Sequence, residues 1–271
     1  MALRIIDVSE NNGTINWAQV RGHIDGVIVR AGYRGWGGGN IVQDKKALEN
    51  LSYAARSGLP VGVYFVTQAV TETEAIEEAQ YCADIASLAG EGLTLPICFD
   101  DEEAGGADGR GRRDKLSRAD RTKTAIAFCR EVKRMGYTPM MYCSDSWFQS
   151  MLDGESVRRS GALVWIARVE NVRPSVAWDG WQYSWKGRVP GITTDVDMNQ
   201  FDERSADMTK EQVLQIIAEY EAEKAKKPVS GYAKQAWQDA KKAGVLDGTS
   251  PQSGLTREQL AAVLSRLGLI K

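Results

Sequence analysis

Eight short runs rich in β-branched and aromatic residues punctuate the first three quarters of the chain: Leu3–Val8, Gly26–Ala31, Pro60–Phe65, Leu95–Asp100, Thr138–Cys143, Ala162–Ala167, Gly180–Ser184 and Thr194–Met198. Between the early ones lie stretches with helix patterning. Val42–Ser57 is one, stopped by Gly58; Thr71-x-x-Glu74 caps a second that runs to about Ala89; Ser117–Met135 is a third. Strand and helix in alternation require parallel strands with crossover helices, and eight strands suffice to close a barrel. The pattern thins towards the end, because Trp181–Asp197 cannot hold a strand, a full helix and a second strand. The expected fold is therefore α/β: an irregular, TIM-like (β/α) barrel of about five βα units followed by three strands joined mainly by loops.

The barrel is expected to span residues 1–204. Thr209-x-x-Gln212 opens a further helix that passes through the charged run "EYEAEKAKK" to Pro228, so residues 205–229 read as a helical linker. In residues 230–271, "SGYAKQAWQDAKKAGVLDGT" and "LTREQLAAVLSRLGLIK" each have the pattern of an amphipathic helix, the first ended by Gly244 and the second capped at Thr256. A helical pair this short is marginal by itself, which points to packing on the barrel, pairing with another copy, or both.

Charge and residue usage exclude several function classes. The net charge is -2, with no basic stripe to attract nucleic acid or an anionic membrane. From Pro228 onwards six basic residues face three acidic ones, so the tail is +3 and the remainder -5. No stretch approaches the ~20 apolar residues that span a bilayer. "MALRIIDVSENN" lacks the basic and apolar regions of a secretory signal, so synthesis in a cytoplasm is expected, with something else needed to release the protein if it acts on a wall. Cys82, Cys98, Cys129 and Cys143 sit in apolar runs without metal-ligand spacing and read as small buried hydrophobes. The single histidine, His23, lies in a turn, which removes paired-His zinc sites; no metal and no cofactor are expected.

In a barrel of this type chemistry sits at the C-terminal ends of the strands. Those ends carry Asp7, Tyr64 and Phe65, Asp100 with Asp101 and Glu102, Tyr142, Trp165, Gln182, and Asp197 with Asn199. Three strands thus bring carboxyl groups to one rim among aromatic rings. In "FDDEE", Asp100 and Glu102 share a face while Asp101 points elsewhere. Two neighbouring carboxyl groups suit acetal hydrolysis: one donates a proton to the leaving oxygen and the other stays ionised to stabilise positive charge. Taken alone, an Asp-x-Glu pair is more often a solvated strand end or a cation ligand. "RGWGGGN" reads as a mobile loop in which Arg34 and Trp36 contact substrate or form a lid, and "AGGADGRGRRDK" as a flexible rim loop.

The segments "IIDVSENNGTINW", "DGVIVRAGYRG", "GLPVGVYFVTQAVTETEAIEEA", "LPICFDDE", "GYTPMMYCS", "LVWIARV", "WQYSWKGRVPGI" and "DVDMNQF" resemble, in order, the glycoside hydrolase 25 lysozymes from Ile5 to about Phe201. That resemblance implies cleavage of the β-1,4 bond between N-acetylmuramic acid and N-acetylglucosamine in peptidoglycan. It further implies that Glu102 is the general acid, that Asp100 orients the 2-acetamido group, and that Asp7 and Asp197 complete an acidic cleft. Tyr64, Tyr142, Trp165 and Gln182 match positions lining that cleft. Asn199 at its strand end and Arg34 in its loop are expected, from the residues alone, to be additional substrate contacts. Asp101 is an extra acid in the motif, either tuning the pH response or inert. The tail resembles the short helical repeats of S-layer-homology type, which implies a secondary wall polymer as ligand or self-association into a homo-oligomer. Together these features resemble a phage endolysin, with Met208 as a candidate internal start. The alternative is a barrel that binds peptidoglycan without cutting it.

Overall fold

The computed structural model describes residues 2–103, 111–169, 172–202, 218, 221–246, 248–252, 257–267 and 269. The chain divides into two compact units, Met1–Asp207 and Met208–Lys271. In the first, nine strands run in chain order: β1 Ala2–Val8, β2 Gly26–Arg34, β3 Ile41–Gln43, β4 Val61–Val66, β5 Leu93–Asp100, β6 Pro139–Ser144, β7 Leu163–Ala167, β8 Gly180–Gly187 and β9 Val196–Asp202. Eight of them close into a barrel in the order β1-β9-β8-β7-β6-β5-β4-β2, sealed by the parallel pair β1–β2. The ninth, β3, folds back antiparallel on the end of β2, with Gly32 opposite Gln43.

Among the described residues of this unit, six α-helices pack outside: α1 Trp17–Val20, α2 Ala47–Arg56, α3 Glu72–Ala86, α4 Arg118–Arg134, α5 Asp145–Ser150 and α6 Gly154–Arg159. The capping residues act where the sequence places them. Thr71 accepts from the Glu74 N–H and Ser117 from that of Asp120, while Gly58 follows α2 with φ of 77°. One expectation needs correction. Val42 belongs to a hairpin strand, so α2 begins at Ala47, after Asp44 has turned the chain by accepting from the Lys46 N–H. The last strand is antiparallel to both neighbours, because the short connection from β8 to β9 permits only a hairpin-like return.

Alternation along the strands builds two cores. Ile5, Ile28, Cys98, Met140, Trp165 and Phe201 fill the barrel interior. Ile6, Val27, Val29, Val63, Phe65, Phe99 and Met141 face outwards and meet Leu51, Ala79, Phe128 and Val132 from the helices. Gly62 keeps the interior narrow, since a Cβ there would lie 2.6 Å from the Pro96 carbonyl oxygen. Filling the lower barrel with apolar side chains leaves polar ones only at the upper ends of the strands, and that is where the site forms.

In the second unit residues 221–226 are helical, followed by α7 Lys234–Lys242 and α8 Arg257–Arg266. Gly244, at φ of 66°, ends α7 by donating to the Lys241 carbonyl. The expected caps at Thr209 and Thr256, and the candidate start Met208, lie outside the described residues. Among the described residues no helix is long and apolar enough to cross a membrane.

Candidate active site

Asp7, Tyr64, Asp100, Glu102, Tyr142, Trp165, Gln182, Trp185 and Asp197 line one cavity of about 150 Å³ at the upper rim. Strand register explains the convergence. Asp7 pairs with Asp197 across β1–β9, and Asp100 with Tyr142 across β5–β6, which in turn pairs with Trp165 on β7. Because β9 runs downwards, its second residue lies on the same rim as the last residues of the parallel strands. Asp197 therefore reaches the site from the start of a strand.

A hydrogen-bond web fixes the floor. The Gln182 amide donates to Asp7 Oδ2 at 3.1 Å and to Asp197 Oδ2 at 3.4 Å, and its oxygen accepts from the Tyr142 hydroxyl at 2.8 Å. Asn199 donates to Asp7 Oδ2 at 2.9 Å and accepts from the Trp165 indole N–H at 2.9 Å. The Tyr142 and Trp165 rings meet edge to face, 4.6 Å between centroids. One atom stands out: Asp100 Oδ1 is buried in the cavity wall and has no hydrogen-bond partner. An unpaired buried carboxyl oxygen is costly unless a ligand completes it or it holds a proton.

The electrostatics favour the proton. Burial pushes Asp7 up to about 6, against the lowering effect of the Asn199 and Gln182 donors. Burial, then the charges of Asp7 and Glu102, push Asp197 up to about 7. Asp100 is raised well above its ordinary range, by burial first and then by Glu102, Asp7 and Asp101, with Arg30 opposing. Glu102 is also raised, by shielding within the cleft and by Asp7 and Asp101, again with Arg30 opposing. Its residue is exposed at the mouth of the cavity. Four carboxyl groups in one small space cannot all ionise together near neutral pH, so the site holds protons to donate. The Tyr64 and Tyr142 phenols, pushed well above their usual value by burial, remain neutral hydrogen-bonding groups.

Two expected substrate contacts are corrected. Arg34 is buried away from the cavity, and its guanidinium is spent on Glu78 at 2.7 Å, Glu77 at 3.2 Å and the carbonyl oxygens of Gly39 and Glu74. Those bonds fasten the "RGWGGGN" loop to α3, so it is tied down rather than loose. Asn199 is fully buried beneath the cavity, where it orients Asp7 and Trp165. Asp101 is also not a site acid: it points outwards and pairs with Arg113 and Arg121, all three fully buried. Two residues escaped the sequence reading. Arg30 pairs in register with Tyr64 and carries its charge towards the acids, held by Asp44 at 2.7 Å. Alternation from Ile28 would have placed it on the interior face. Trp185 joins the cavity wall through a bulged strand, which periodicity does not reveal. Among the described residues no group of three or more His, Cys, Asp or Glu side chains is arranged to hold a metal ion.

The profile of Glycosyl hydrolases family 25 matches residues 6–192, which takes in every residue lining the cavity except Asp197. The chain belongs to that family. It is therefore a glycoside hydrolase. It is 26% identical over 208 residues to "Lysozyme M1" of Streptomyces globisporus, spanning 74% of this chain and 68% of that one. The modular autolysin LytC from Streptococcus pneumoniae superposes with a TM-score of 0.64 at 28% identity over 74% of this chain. This chain spans about half of the autolysin, 47% of its length. The bacterial lysozyme from Streptomyces coelicolor, at 24% identity and a TM-score of 0.59, shares the fold across 74% of this chain and 93% of its own.

Ionisation of the acid cluster has a stability consequence. Asp197 binds its proton more tightly folded than unfolded, so its contribution is fully present below about pH 4 and is lost as pH rises through about 7. Asp197→Asn removes that ionisation. It is expected to raise unfolding free energy by about 1 kcal/mol at pH 8, discounted for partial solvent screening, with no gain at pH 4. Urea unfolding midpoints at the two pH values measure the difference. Equal shifts at both would mean the carboxyl is not electrostatically strained.

Proposed function

We propose that the protein is an N-acetylmuramidase, hydrolysing the β-1,4 bond that follows N-acetylmuramic acid in peptidoglycan. The observation that carries this reading is the single cavity in which four carboxyl groups with elevated protonation ranges surround an unpartnered Asp100 oxygen. Family membership supports the reaction class. The pneumococcal autolysin, 28% identical, has been solved in complex with a synthetic peptidoglycan ligand, which supports the substrate class.

Glu102, at the cavity mouth, reaches a glycosidic oxygen on a strand laid across the rim and gives it a proton as the C–O bond breaks. Asp100, at the bottom, meets the 2-acetamido group through its unpartnered oxygen and orients that group towards the anomeric carbon. Asp7 and Asp197, held by Gln182, supply negative charge as positive charge develops at the anomeric carbon. Trp165 and Tyr142 form the floor and keep bulk water out. Mass analysis of borohydride-reduced digestion products from purified Gram-positive walls tests the bond cut. Reduced muramic acid ends are expected; reduced glucosamine ends would make the enzyme a glucosaminidase, and intact glycan that co-sediments with the protein would make it a binder.

The C-terminal unit is proposed to hold the enzyme on the wall through a secondary polymer, in the manner of a phage endolysin. The +3 charge of the tail and its two short helices support that assignment. Co-sedimentation of the full-length Glu102→Gln variant with walls, before and after the secondary polymer is stripped, is expected to fall several-fold. Unchanged binding would instead leave self-association as the role of this unit.

A further inference from the structure

Trp185 is 54% exposed, although tryptophan is on average among the most buried residue types. Its ring is nonetheless fixed. The indole N–H donates to Gln182 Oε1 at 2.9 Å, and an indole nitrogen can only donate. It therefore reads the acceptor end of the amide and leaves Gln182 Nε2 facing Asp7 and Asp197.

Strand geometry points the same way. Strict alternation would send Trp185 to the face opposite Gln182, away from the cavity. The β8–β9 register shifts between Gln182 and Ser184 and again between Ser184 and Gly187. These irregularities return the ring to the cavity wall. Bulges that re-aim a side chain are concentrated next to active sites. An apolar ring left open to water, yet locked by its own N–H, makes a flat platform that loses little entropy when a ligand covers it. Glycan rings offer the matching surface, a face of axial C–H groups bordered by polar substituents.

We propose that Trp185 contacts the substrate, stacking the apolar face of an N-acetylhexosamine ring at the cavity mouth, next to the residue being cut. This rests on the muramidase reading. It makes Trp185 a determinant of chain binding rather than of bond breaking, because its only polar atom is already spent on Gln182.

The test uses the full-length protein and soluble, uncrosslinked glycan strands, with reducing ends as the readout. Trp185→Ala is expected to raise KM about tenfold while kcat changes less than about threefold, the pattern of lost ground-state and transition-state binding alike. Trp185→Phe keeps a flat ring and is expected to hold KM within about threefold of wild type. In parallel, the Glu102→Gln protein labelled with 5-fluorotryptophan is titrated with a glycan tetrasaccharide. Its Trp185 fluorine resonance, identified by its loss in Trp185→Phe, is expected to shift. A Trp185→Ala KM within twofold of wild type, or an unmoved resonance, overturns the proposal. Wild type that releases no reducing ends fails the muramidase reading instead, while the fluorine signal still reports whether the ring meets glycan.

Discussion

Glu102→Gln is expected to lower turnover on purified walls by about 10³-fold, within the 10²–10⁴ range that a positioned general acid supplies. Glutamine keeps the shape of the protonated acid and can donate a hydrogen bond, but it cannot transfer a proton to the leaving oxygen. The residue is exposed at the cavity mouth and its carboxyl is already shifted towards the neutral form, so the variant is expected to fold and to bind glycan like wild type. Loss should therefore fall on kcat and leave KM within a few-fold. The same shift predicts a falling alkaline limb in the wild-type pH profile, as Glu102 gives up its proton. Retention of more than about a tenth of wild-type turnover would move the acid to Asp100, a buried carboxyl in the same cavity that is also shifted towards its neutral form. Asp100→Asn, assayed beside it, separates the two roles: an orienting group costs turnover but leaves the ionisation of the leaving-group acid visible in the pH profile.

Most of the barrel is legible in the sequence because its interior and outer faces alternate along most of the strands, and glycine and proline punctuate them. The strand ends bring Asp7 and Asp100 to one rim, and both line the same cavity. The failures have local causes. Val42 sits in a three-residue strand that exists only because the end of β2 folds back on it, and a strand that short has no periodicity of its own. Arg34 beside a glycine-rich segment looks like a loop cation, whereas its carboxylate partners lie more than forty residues away on α3. Asn199 follows the acidic motif and so reads as a sugar contact, but β9 runs downwards, so Asn199 lies on the same face as Asp197 and one step deeper, opposite Ile5. Trp185 was invisible for the opposite reason, since a bulge breaks the alternation that would have assigned it.

The site acids depend on a neighbour that never touches the cavity. Asp101 lies between Asp100 and Glu102 and points the other way, into a fully buried cluster with Arg113 at 2.8 Å and Arg121 at 2.5 Å. Its own N–H donates to the Tyr142 carbonyl, so the turn carrying both site acids is tied to β6 as well. Arg113 continues the web to Thr124 at 2.9 Å and to the Ala69 carbonyl, and its guanidinium lies 5.1 Å from the Phe99 ring centre. Arg121 lies over Trp147 at 4.8 Å and donates to the Arg113 carbonyl. One carboxylate thus serves two guanidinium groups that have lost their water. Asp101→Ala leaves both cations buried without it, and is expected to cost about 3–5 kcal/mol. For a unit of about 200 residues that corresponds to a fall in Tm of about 10 °C. Asp101→Asn is expected to cost nearly as much, because the amide keeps the shape and loses the charge. Thermal unfolding of both variants measures the effect. A loss below about 1 kcal/mol would mean that water reaches the cluster and the pair is screened like a surface bridge. With the expected loss, whatever Asp101→Ala remains folded should also turn over slowly, since Asp100 and Glu102 then project from a turn that nothing holds to α4.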